Sequence, residues 1–148
     1  MFNMYMSSAI DEAKKAYIAE EVPVGAVVVY KNEIIVKSHN TVIENNNPLC
    51  HAELNAINKA LTFLNTTYLS DCSLYVTKEP CIMCLGAIIN ARVKRVYFGA
   101  YDVKYGASDH LLNLMHYGKV NHFPEIYGGI MENECKKLLE DFFRCNLS

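Results

Sequence analysis

No apolar run in this sequence approaches the roughly 20 residues that a bilayer crossing requires, which excludes a transmembrane helix. The start, MFNMYMSSAIDEAKKAYI, lacks a basic segment ahead of an apolar one. Asp11, Glu12, Lys14 and Lys15 also arrive too early for a secretory leader. These absences point to a cytoplasmic protein with no membrane partner. The six cysteines have no secretory context, so a disulfide framework is not expected. Cys72, Cys135 and Cys145 read instead as small buried hydrophobes. Excess positive charge is missing too, since the formal net charge is -2. A protein that holds nucleic acid mainly through phosphates carries a basic excess, so this balance weighs against such binding unless a local basic face overrides it. There are no repeats and no dividing linker. The 148 residues, 51% of them apolar, fit one domain, 1–148. A domain of that size buries about two-thirds of its unfolded surface.

What is present alternates between two periodicities. A helix is predicted from about Asn3 to Glu20, with Ile10, Ala13, Tyr17 and Ile18 inward. Pro23 ends it, and VGAVVVY from Val24 is a near-continuous apolar strand. Lys31-Asn32-Glu33 turns the chain back through Ile34 to Ser38 as a hairpin. ENNNP (Glu44 to Pro48) is a loop, and LCHAELNAINKAL after it is helical, with Leu54, Ile57 and Leu61 toward a core. Asn47 and Pro48 are the natural caps of that helix. A strand from Cys72 to Thr77 leads into a helix from Cys81 to about Ala91. Val93 to Gly99 is a strand, Ser108 to Tyr117 carries a short helical pattern, and Glu125 to Ile130 is a possible strand. A last helix from Glu132 to Arg144 aligns Cys135, Leu138, Leu139 and Phe142. Strands alternating with crossover helices argue an α/β protein, a three-layer α/β/α domain.

Two titratable residues, His51 and Glu53, open the helix of LCHAELNAINKAL, where an ordinary cap would suffice. Downstream, Pro80-Cys81-Ile82-Met83-Cys84 sets two thiols one turn apart at a helix start, where amides and dipole favour thiolate. Alone, that Cys-x-x-Cys is a redox pair, half a structural zinc site or two ordinary cysteines. With His51 it becomes a set of three zinc ligands that leaves a fourth position to water, whose pKa falls to about 7 on zinc. Glu53 then has a role as the general base that takes the water's proton and returns it to the leaving amine, typically worth 10²–10⁴-fold. Cys50 is assigned to packing. His-x-Glu with Pro-Cys-x-x-Cys is the pattern of zinc nucleobase deaminases.

Over nearly its whole length the chain resembles the tRNA-specific adenosine deaminases, the bacterial enzymes that make inosine at the wobble position. The resemblance is carried by VPVGAVVV, Asn40, HAE at 51–53, PCIMCLGAIINARVKRVYFGAYDVKYGA at 80–107, NHFPEIYGG and the final FFR. It implies a cytidine deaminase-like fold with a central mixed sheet of about five strands and one Zn²⁺ per subunit on His51, Cys81 and Cys84. Glu53 would be the proton shuttle. Asn40 and the amide of Ala52 would bond the base, Val24 would pack on its ring, and Asp102, Lys104, Phe143 and Arg144 would lie beside the RNA. The implied partners are a tRNA anticodon stem-loop and a second subunit, near the helix after Pro80. Two basic clusters, Arg92/Lys94/Arg95 and Lys136/Lys137/Arg144, offer a local override of the net charge. Phe142 is assigned to packing and Phe143 to stacking, worth about 1–3 kcal/mol per base. The competing readings are a small-molecule deaminase acting on guanine or cytosine, and a noncatalytic zinc or RNA-binding module.

Overall fold

The computed structural model describes residues 1–118 and 120–145. The chain runs α1 (Phe2–Ile18), β1 (Gly25–Tyr30), β2 (Glu33–His39), α2 (Ala52–Leu64), β3 (Cys72–Lys78), α3 (Ile82–Asn90) and β4 (Arg95–Ala100). A 3₁₀ turn at Ser108–His110 then precedes α4 (Leu111–His116), β5 (Glu125–Tyr127) and α5 (Glu132–Cys145). The five strands form one sheet in the order β2-β1-β3-β4-β5. β1 is antiparallel to both neighbours, and β3, β4 and β5 are parallel. Parallel neighbours need crossovers, and α3 and the α4 segment supply them. The β1–β2 hairpin turns on Lys31 and Asn32, both left-handed at φ 50° and 64°, as a two-residue turn matched to strand twist requires.

Both faces of the sheet are covered, which is why β1 reads as an unbroken apolar run. Val27 and Val29 face α1 and α5, packing with Met6, Ala9, Ile10 and Cys135. Ala26 and Val28 face the other way, packing with Ala52, Ala56 and Ala60 of α2 and Ile88 of α3. The expected three-layer mixed-sheet architecture is therefore present. α1 lies close enough on β1 that a Cβ on Gly25 would sit 1.9 Å from the Ala9 carbonyl oxygen. Across the same face Tyr75, Tyr97 and Tyr127 stand in register on β3, β4 and β5. Their rings stack at 4.5 and 5.2 Å, and Tyr5 and Phe2 of α1 join the row.

Three packing expectations are corrected. Ile18 is 83% exposed, because α1 ends there and its inward face is Tyr5, Met6, Ala9, Ile10, Ala13 and Ala16. Leu54 is half-buried and outside the core, since alanines bring α2 onto the sheet and push larger side chains to its flanks. Cys145, expected to be buried, is exposed at the end of α5. Cys72 and Cys135 are buried as read, and burial pushes their thiols up to about 11 and about 12. Among the described residues no helix is long and apolar enough to cross a membrane.

Candidate active site

Two helix N-termini meet beside the end of β3. His51 precedes α2 and Cys81 precedes α3, each in extended backbone, and neither side chain caps its own helix. Both are thereby free for another partner. Asn47 is not the helix cap expected of it; its carboxamide oxygen accepts from the Leu49 amide in a turn further upstream. The His51 Nδ1 lies 3.7 Å from Cys81 Sγ and 3.5 Å from Cys84 Sγ. Zn–S and Zn–N bonds of about 2.3 and 2.1 Å at a tetrahedral angle separate S from N by about 3.6 Å. Both separations of His51 from the sulfurs therefore match a tetrahedral metal ion, and the three residues form a group able to hold one. Cys50 stays out of this group, its thiol meeting Asn45 Nδ2 at 3.5 Å.

The charges are arranged for the same purpose. Hydrogen bonds from Cys84 and His51 hold the Cys81 thiol down at about 3 despite burial. Cys84, facing that thiolate and buried, is pushed up. His51 is raised by Cys81 against burial. A divalent cation between the sulfurs would displace the remaining thiol proton. Glu53, 4% exposed, is raised chiefly by burial, while its own backbone amide and His51 oppose the shift. A carboxyl lifted in this way is suited to taking up and releasing a proton.

Cys84 is fully buried, whereas His51, Glu53 and Cys81 line a cavity of about 780 Å³. Val24, Asn40, Ala52, Asp102 and Phe143 all line it, as does Phe142, which also packs edge-on against Tyr17. The main chain sets Asn40 beside Val24, the Asn40 amide donating to the Val24 carbonyl at 3.1 Å. The Asn40 carboxamide makes no hydrogen bond with another described residue although the residue is buried. Its polar atoms are therefore left open to the cavity, where a ligand can meet them. Ala52 leads α2, where no side chain caps the first-turn amides. Lys104 and Arg144 lie outside the lining: Lys104 is exposed with its ammonium 5.5 Å over the Tyr105 ring, and Arg144 pairs with Asp141 at 2.5 Å. The basic clusters are largely matched locally, by Arg95–Glu125, Lys136–Glu140 and Lys137–Asp141, with Arg92 over Tyr68.

Several residues that shape the cavity are absent from the sequence reading. The buried Glu79 carboxylate accepts from the Asp102 amide at 3.0 Å, the Ser108 amide at 3.2 Å and the Ser108 hydroxyl. It thus pins the loop that carries Asp102. Gly106 permits this, since a Cβ there would sit 2.3 Å from Glu79 Oε1. Across the cavity Glu21 accepts from the Ile43 and Glu44 amides at 3.0 and 2.8 Å. Asn55 of α2 donates to the His39 carbonyl and the Thr41 hydroxyl, both at 3.0 Å. Asp102 is itself anchored by the Lys104 and Tyr105 amides and by Lys78 at 3.0 Å. Burial works against the Asp102 carboxylate, but the Tyr105 amide and Lys78 outweigh it and hold it below its ordinary range.

The profile of the MafB19-like deaminases matches residues 2–146. The chain is 44% identical over 141 residues to the tRNA-specific adenosine deaminase of Rickettsia typhi, covering 94% of this chain and 95% of that protein. Its identity to the tRNA-specific adenosine deaminase of Bacillus subtilis is 45% over 141 residues, covering 95% and 88%. A solved structure from work on A-to-I editing by tRNA:A34 deaminases superposes with a TM-score of 0.87 at 38% identity, covering 92% of this chain and 99% of that one. With relatives this similar over nearly its full length, the chain belongs to the tRNA-specific adenosine deaminase family.

Proposed function

We propose that this protein hydrolyses adenosine to inosine and ammonia at the wobble position of a tRNA anticodon loop, with one zinc ion per subunit held by His51, Cys81 and Cys84. The observation that carries the reading is the buried Glu53 beside these three residues, on the floor of a cavity into which Asn40 opens an unpartnered carboxamide. Bound there, zinc supplies a Lewis acid that brings the pKa of water to about 7, making hydroxide available near neutral pH. Glu53 takes the proton released from water, delivers it to the purine ring nitrogen as C6 is attacked, and assists departure of the amine as ammonia. Asn40 and the Ala52 amide bond the edge of the base, and Val24 closes on its ring. An anticodon loop is a suitable substrate because its unpaired base is extruded at little cost. Phe143, exposed at the mouth, stacks on a neighbouring base, with Asp102, Lys104 and Arg144 toward the RNA. The working form is a cytoplasmic homodimer joined near α3.

The test incubates zinc-loaded protein with an anticodon stem-loop bearing wobble adenosine and reads A-to-G change after reverse transcription. Conversion is expected at that one adenosine. Glu53→Ala is expected to retain zinc and lose 10²–10⁴-fold in rate. Full activity in Glu53→Ala overturns the proton-shuttle role. No conversion by metal-replete wild type moves the substrate to free bases, guanine first.

A further inference from the structure

The charged groups of the cavity wall are unevenly divided. Glu20, Glu21, Glu53, Glu79 and Asp102 contribute carboxylates, whereas Lys78 is the one ammonium or guanidinium among the described residues of the lining. Most of the acids are already committed. Glu79 and Glu21 are engaged by loop amides, and Asp102 by two amides and Lys78. Lys78 is not. An ammonium has three donors, and the bond to Asp102 Oδ2 at 3.0 Å uses one. No other described residue accepts from it, and its side chain remains 29% exposed at the end of β3. From that point it reaches the cavity alongside the loop of Asp102, one residue before Glu79 and three before Cys81.

We propose that Lys78 is a substrate-binding residue, its ammonium meeting a phosphate of the nucleotide whose base enters the cavity. The proposal rests on the RNA reading given above. Among the described residues of the lining, Lys78 is the one ammonium among five carboxylates, so a phosphate at the cavity is drawn to this side chain, which sets where the backbone runs relative to Asn40 and Glu53. The bond to Asp102 keeps the long side chain extended into place before substrate arrives, reducing the ordering cost of binding.

The measurement is kcat/KM of the zinc-loaded enzyme on the wobble-adenosine stem-loop across a salt series. Wild type, Lys78→Met, Lys78→Gln and Lys78→Arg are compared, and Lys78→Met is repeated in an Asp102→Asn background. Neutralising one phosphate contact makes the log–log salt slope shallower by about 0.7–1. Lys78→Met and Lys78→Gln are expected to show that change, with the loss at low salt carried by KM, and Lys78→Arg is expected to keep the wild-type slope. Lys78→Gln, which retains a polar tether to Asp102, also guards against a folding defect in the methionine variant. The effect is expected to persist in Asp102→Asn. Parallel salt slopes in all variants overturn the proposal, as does its disappearance in Asp102→Asn, which would make Lys78 only a tether for the loop. Failure of wild type to convert the stem-loop would instead remove the RNA reading and this contact with it.

Discussion

Ser38 illustrates how much one atom in this core can matter. Its hydroxyl is buried on β2 and, among the described residues, is the buried side-chain polar atom without a hydrogen-bond partner. Leaving such a group unpaired costs about 1–3 kcal/mol. Ser38→Ala is therefore expected to be neutral or to stabilise by about 1 kcal/mol in denaturant melts, and a clear loss would reveal a partner for the hydroxyl. Gly106→Ala is the opposite case. Its Cβ would displace the Glu79 carboxylate and, at 2.5 Å, the Asp102 carbonyl. Activity is expected to fall more than tenfold while the melting temperature moves by a few degrees, because the loop is at the cavity rim and not in the core. At this scale the sequence was readable where chemistry demands a fixed local spacing. His51, Glu53, Cys81 and Cys84 stand out in the sequence because each of two helix starts carries two titratable side chains within one turn. Glu21, Asn55, Lys78 and Glu79 do not, because each acts on a segment distant in the chain. Lys104 and Arg144 were legible as cations only, and their position outside the lining depends on loop and helix placement.

Elements were legible as far as their apolar period reached. All the strands and the four longer helices fall where periodicity set them. The errors lie in which face is inward: Ile18 lay one turn too late on α1, and Leu54 misled because bulk was read in place of fit. Small alanines at positions 52, 56 and 60 let α2 approach the sheet. The attachment of α1 carries a pH dependence. Glu12, buried on α1, binds Lys15 at 2.6 Å and His39 of β2 at 3.1 Å. Burial opposes its ionisation, but those two partners prevail and lower it from 4.5. A carboxyl lowered by folding contributes stability above its unfolded pKa, and that contribution is lost as pH falls through the folded value. The difference in melting temperature between wild type and Glu12→Gln is expected to be present at neutral pH and to close as pH falls below 4.5. A difference unchanged by acid would mean that Glu12 acts by packing alone.

For the molecule as a whole, the residues able to hold a metal ion come from segments 30 or more positions apart, before and after β3. A metal ion held there would tie the starts of α2 and α3 together and would be bound only by the folded chain. An ion present at about 1,000 times its dissociation constant stabilises by about 4 kcal/mol. Chelation is thus expected to lower the melting temperature by several degrees while leaving the far-ultraviolet circular dichroism intact, since both core faces are apolar without it. An unchanged melting temperature in protein shown to contain metal would contradict the ligand set. The net charge of -2 averages over the surface and does not show how the charges are placed: among the described residues, the cavity wall gathers five carboxylates and one lysine.

The row of stacked rings across β3, β4 and β5 has an optical consequence. The chain has ten tyrosines and no tryptophan, so its near-ultraviolet absorption and emission arise almost wholly from phenol rings. Four of these, Tyr5, Tyr75, Tyr97 and Tyr127, lie in one series with neighbouring centroids 4.5–5.2 Å apart. Rings that close share their electronic transitions, and the series joins α1 to three strands. The near-ultraviolet dichroism of this protein is thus a built-in reporter of α1 seated on the sheet, read at a wavelength free of indole and on the face opposite α2 and α3.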